Sequence, residues 1–185
     1  MKHMKKFAFL MILAVGLSSC GLLSTEVDGE MSTVLDIYVP EDMAKAADGW
    51  YDLIEEKELD ARENDDVQEY IDRLDEIVVK DITATVIDVS EDGIILSPNT
   101  VFYMVGATNS VEWSLGMEWP IPKNATFTFD NLGDKYKDAS DIIMHAVTNE
   151  KESMITFGVV GESSKDNINV TIEIKILEGF TVSLL

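Results

Sequence analysis

Residues 168–176 read INVTIEIKI, so that Ile168, Val170, Ile172, Ile174 and Ile176 alternate with Asn169, Thr171, Glu173 and Lys175. A period of two belongs to extended backbone, whose successive side chains point to opposite faces, and predicts a strand with one face in a core and one in water. Branched Ile and Val reinforce this, because they pack well on a pleated surface and lose rotamer freedom in a helix. Upstream lie SMITFGVVGE (residues 153–162) and the polar turn SSKDN. Together with residues 168–176 they predict a hairpin.

Similar signals recur along the chain. Leu35, Ile37 and Val39 alternate with polar residues over 33–39 and stop at Pro40. Residues 78–89 are rich in β-branched side chains, residues 94–106 continue as β structure broken near Pro98, and 111–119 and 125–130 add further strands. Ser90 to Gly93 (SEDG) reads as a turn. Helical spacing links Met43, Ala46, Ala47, Trp50, Leu53 and Ile54, with a short strand over 57–62 after it. A clearer helix covers 65–77, where Asp65 can cap, Gln68 follows three residues on, and Val67, Tyr70, Ile71 and Leu74 form one stripe. Ala139, Ile142, Ile143 and Ala146 mark another within 134–147. The sum is a mainly β (α+β) chain, read as an immunoglobulin-like β-sandwich of about seven or eight strands with two or three short helices.

The amino-terminal segment is of another kind. Lys2, Lys5 and Lys6 precede an uncharged run, FAFLMILAVGL, over residues 7–17. This is the layout of an export signal, and its length is about half of the roughly 20 apolar residues that a membrane-spanning helix needs. The run ends in Leu17-Ser18-Ser19-Cys20-Gly21, which holds the single cysteine. These residues resemble the lipobox of bacterial lipoproteins. That resemblance implies a diacylglyceryl group on Cys20, cleavage just before it, and a membrane partner held through lipid. Gly21 lacks the aspartate that retains enteric lipoproteins on the inner membrane, which favours the outer membrane. Glu26, Asp28 and Glu30 are similar to the acidic stretch of surface-exposed lipoproteins of Bacteroidota, and the passage EYIDRLDEIVVKDITATVIDV resembles small envelope lipoproteins of that phylum. The chain accordingly divides into a signal over 1–19, a lipidated tether over 20–32 and one domain over 33–185.

Charge narrows the partners. The chain carries 35 acidic and 14 basic residues, a net of −21, and removing residues 1–19 takes three lysines and no acid, leaving −24. Such a surface repels nucleic acid and anionic lipid, so no nucleic-acid partner is expected and the lipid must hold the protein at the bilayer. With Cys20 modified, no thiol remains for a disulfide, a metal or a nucleophile.

Catalytic signals are sparse. His145 is the sole histidine beyond the signal, so a zinc site would need several carboxylates, and no serine stands in a G-x-S-x-G turn. Asp88, Ser90, Asp92 and Gly93 copy the first half of a calcium loop, yet position twelve is Asn99 and the flanks read as strands, so a β-turn explains them better. Paired acids such as Asp65/Asp66 and Glu55/Glu56 are numerous, and abundance makes any one pair uninformative. Trp113, Trp119, Phe102 and Tyr103 suit either a sugar-stacking platform or, given their alternation with polar residues, the sandwich core. The expectation is a non-enzymatic, lipid-anchored envelope module that binds a protein or glycan or serves a structural role, without a cofactor. The alternatives are a carboxylate-dependent glycan hydrolase and a Ca²⁺ or small-ligand binder using residues 88–92.

Overall fold

β10 (Ile168–Ser183), the strand with the strongest alternation, takes a central place in the first of two sheets. The computed structural model describes residues 24–46 and 48–183. β10 pairs antiparallel with β1 (Ser24–Val39) along its whole length, from Val39↔Ile168 to Ser24↔Ser183, and its other edge pairs with β3 (Leu74–Val89). β8 (Thr126–Thr128) adds to β3 at Thr83, Ala84 and Thr85, giving the order β1-β10-β3-β8. The second sheet is built on β9 (Met154–Ser163). β2 (Tyr51–Asp60) lies on one edge of β9, and β5 (Val101–Val105) followed by β6 (Ser110–Ser114) on the other. The short pair β4 (Ile95–Leu96) and β7 (Trp119–Pro120) joins at Ser163. Among the described residues, two helices, α1 (Asp65–Tyr70) and α2 (Lys135–Thr148), and three 3₁₀ turns complete a β-sandwich, the fold class that the alternating patterns predict.

Alternate residues of the long strands turn inward, and Met31, Leu35, Ile37, Ile172, Ile174 and Ile176 are all buried. Each such side chain stabilises the fold by roughly 1.5–3 kcal/mol relative to exposure. Leu35, Ile82 and Ile174 of one sheet and Phe102, Trp113 and Phe157 of the other close on a residual void of about 10 Å³. That is at the lower limit for one water, so the sheets leave no room for a ligand at this point of the core.

Four local expectations change. Residues 153–176 do not form a hairpin: both edges of β10 are occupied, by β1 and β3, so β9 lies in the opposite sheet and residues 164–167 cross between them. In place of the helix expected over 43–54, residues 43–46 and 48–50 are loop and β2 follows, while Ala47 lies outside the described residues. Gly49 at φ +96° breaks the helical geometry, and β9 offers its edge from Tyr51↔Ser163 to Asp60↔Met154. The helix over 65–77 lasts only to Tyr70, capped by Asn64 rather than Asp65, with the Val67 N–H donating to Asn64 Oδ1 at 3.0 Å; a 3₁₀ turn then leads into β3 four residues earlier than expected.

The fourth change is at the start of the domain. Residues 24–32, read as tether, are the first half of β1 and pair with β10. Acidic residues on the outer face and Gly29 on the path of the inner one hid this strand, because pairing uses backbone groups that every residue carries. Gly29 is required there: a β-carbon at this position would collide with the ring of Phe180, which is fully buried and cannot retreat.

Gly29→Ala should therefore cost about 1–3 kcal/mol, the usual range for overpacking a filled site. The check is the urea midpoint of the full chain, and an unchanged midpoint would mean that residues 24–32 are tether after all.

Candidate functional site

A polar hollow runs along the free edge of β3. β8 pairs with only three residues of this 16-residue strand, and beyond Phe129, whose N–H donates to the Ile82 carbonyl at 2.9 Å, the chain leaves the sheet for α2. Two bonds tie the helix beside the strand, and a third within the helix orients the serine that makes one of them. The Tyr136 hydroxyl donates to the Phe129 carbonyl at 2.6 Å, Ser140 Oγ donates to the Tyr136 carbonyl at 2.7 Å, and the Val79 N–H donates to Ser140 Oγ at 2.9 Å. α2 buries Ala139, Ile142, Ile143, Ala146 and Val147 against the sandwich. A groove of about 440 Å³ is left between strand and helix, with Glu76, Val78, Lys137, Ser140, Asp141 and Met144 among its lining.

The groove is acidic at its rim. Asp75, Glu76 and Asp141 line it, and its lysine, Lys137, is bonded to Asp141 at 2.7 Å, which raises the Lys137 pKa. Tyr136 lies 3.2 Å from Asp81 Oδ1, and partial burial pushes its hydroxyl pKa upward. Tyr136 thus stays a neutral donor, and Ser140 is held in a donor–acceptor chain, so neither is poised as a nucleophile. What the groove offers is shape, negative charge and strand backbone.

A second acid lies under α1. Glu178 sits opposite Gly29 on β1 and Val79 on β3, continues the inward row of β10 after Ile176, and is fully buried. Neither carboxyl oxygen has a hydrogen-bond partner among the described residues. Desolvation, with the negative charge of Asp66 nearby, pushes its pKa from 4.5 up to about 8. Asp66 itself accepts from the Glu30 N–H at 2.9 Å and so holds α1 against β1. A general acid must touch substrate, and Glu178 is sealed from any.

The residues singled out in the sequence fall as follows. Cys20 lies outside the described residues. Trp113 and Trp119 are buried in a cluster with Phe102, Phe127 and Phe129, at ring distances of 5.3 Å for Trp113–Phe129 and 5.6 Å for Trp119–Phe127. The core reading holds for both, and they form no sugar platform. Phe102 joins them, whereas the Tyr103 ring covers Gly158 on the outer face and bonds Glu56. The loop over 88–92 is turned toward lysines: Lys165 Nζ donates to the Asp92 carbonyl at 2.6 Å, and Lys123 Nζ lies 3.3 Å from Asp88 Oδ1. His145 Nε2 lies 2.7 Å from Glu152 Oε2 at the surface. Glu55 and Glu56 are successive strand residues and point to opposite faces, so they cannot converge on one substrate. Among the described residues no three His, Cys, Asp or Glu side chains gather as a metal site.

Glu178 was legible by extending the period-two row of β10 through 178, 180 and 182. The groove was not, since it depends on where β8 ends.

No protein-family model and no curated protein sequence matches the chain. Among solved structures it is similar to Turnip Yellow Mosaic Virus, at TM-score 0.37 and 8% identity over 90% of this chain and 97% of that one. It is also similar to a mud crab tombus-like virus, at TM-score 0.35 and 10% identity over 93% and 98%. The decameric BFDV capsid protein overlaps at TM-score 0.36 and 5% identity, covering 86% and 98%. Overlap this loose says nothing of activity or assembly in this chain.

Glu178 gives a signed pH prediction. Between about pH 4.5 and pH 8 the folded state keeps its proton while the unfolded chain has lost it, so stability falls as pH rises, by about 1.4 kcal/mol per unit inside that window. The contribution is fully present below pH 4.5 and gone above about 8. Glu178→Gln should remove this slope, so that the gap between variant and wild type in urea midpoint widens from pH 5 to pH 8. Parallel curves would show that Glu178 ionises normally.

Proposed function

We propose that this chain is an exported, lipid-anchored protein of the bacterial cell envelope, on the outer membrane rather than the inner, and that its domain is a non-enzymatic binding module. The observation that carries the anchor is Leu17-Ser18-Ser19-Cys20 directly after a basic start and an apolar run too short to remain in a membrane. Lipid is also the anchor that the charge requires: a net of −24 after processing gives anionic bilayers nothing to attract, whereas two acyl chains hold stably where one is marginal.

The start of β1 at Ser24 adds a geometric consequence. Four residue steps from Cys20 span at most about 14 Å even fully extended, so a lipidated Cys20 would keep the Ser24 end of the sandwich close to the bilayer. The binding reading is supported by the groove beside β3, where Ser140 and Tyr136 are committed to structural bonds and the remaining features suit recognition.

Mass analysis of the amino-terminal peptide from membrane-extracted protein tests the anchor. The expected peptide begins at Cys20 and carries diacylglyceryl, and Cys20→Ser should move the protein from the membrane to the soluble fraction. A peptide starting elsewhere, or an unmodified Cys20, overturns it.

A further inference from the structure

In an antiparallel ladder the N–H and C=O of one residue point to the same side, and residues two apart share that side. Val79 gives its N–H to Ser140, away from β10. Ile77 has the same parity, with no irregularity between the pairs Val79↔Glu178 and Ile77↔Phe180. The N–H and C=O of Ile77 and the C=O of Val79 therefore face the groove, and among the described residues they have no hydrogen-bond partner. Three backbone groups in strand geometry thus line a groove of about 440 Å³. Buried backbone groups without partners are costly, and an open edge is a template for another strand.

Charge selects the strand. Asp75, Glu76 and Asp141 stand at the rim, and Lys137 is already neutralised by Asp141. A second copy of this chain, at −24 after processing, would be repelled, whereas lysine or arginine side chains would meet Asp75 and Glu76 beside the Lys137–Asp141 pair. Alternate residues of an incoming strand would lie beside Glu76 and the exposed Val78 on one side, and toward Asp141 and Met144 on the other.

We propose that the β3 edge at Ile77 is a strand-addition site for an extended, lysine- or arginine-bearing segment of a partner protein. It rests on the binding-module reading and gives that partner its chemistry: backbone bonds to Ile77 and Val79 supply affinity, and the acidic rim supplies selectivity.

The test uses the full-length protein in detergent micelles and a synthetic peptide of alternating valine and lysine. Binding is read by fluorescence anisotropy, and protection of the Ile77 amide by hydrogen exchange. The expected result is saturable binding with slowed exchange at Ile77. An analogue N-methylated on alternate amides keeps charge and loses pairing, and it should bind at least about tenfold more weakly, as expected for lost backbone bonds. Asp141→Lys combined with Glu76→Lys should weaken binding of the parent peptide, as should raising salt. Equal binding of the N-methylated peptide, equal binding of a valine–glutamate peptide, or protection elsewhere than Ile77 overturns the proposal. Failure here with Cys20 lipidated leaves the anchor standing and removes only the strand-addition site, whereas an unmodified Cys20 with peptide bound does the reverse.

Discussion

The architecture depends on β10 being paired along both edges. Its sixteen residues pair without a break with β1, and from Val170 to Val182 they also pair with β3. Once both edges are used, β9 has to seek partners in the other sheet, and the two sheets are then bound to face each other through their apolar rows. The alternation of Ile172, Ile174 and Ile176 becomes the floor of one core rather than half of a hairpin.

A core closed this tightly leaves function to edges and ends. Trp113, Trp119, Phe102, Phe127 and Phe129 pack on one another in tilted and edge-to-face arrangements, and aromatic area is spent on stability instead of display. At β1, Asn64 donates to the Glu30 carbonyl and Asp66 accepts from the Glu30 N–H, which blunts that edge at Glu30. At β3 the partner β8 is short, the helix that follows reaches the strand through Ser140 on Val79 and Tyr136 on Asp81, and a groove stays open between them.

The end of the sandwich that holds the start of β1 is also the least compatible with simple packing. Among the described residues nothing pairs the Glu178 carboxyl, and burial, with the Asp66 charge adding to it, pushes its pKa up to about 8, which favours the neutral form at pH 7. A polar group kept in such a place lowers stability relative to an apolar residue of similar size. Lys80 outside the same region is held by Glu26 and Asp28 at 2.9 and 2.6 Å, so the outer face there is cross-linked by exposed ion pairs. Those pairs add little energy each and mainly satisfy a lysine surrounded by acid.

Period-two rows, read from residues alone, determined which faces of residues 33–39, β6 and β10 are buried and that the chain is mainly β, because side-chain direction follows from local geometry. The proposal of an export and lipidation signal rests on the residues from Lys2 to Cys20 alone. Tertiary structure alone decided that β9 and β10 part, that residues 48–54 become loop and strand, that β1 reaches back to Ser24, and that a groove opens beside Ile77. Backbone hydrogen bonds between strands use groups common to every residue. Which strand pairs with which, and where an edge is left open, is therefore written in the packing of the whole and not in any one segment.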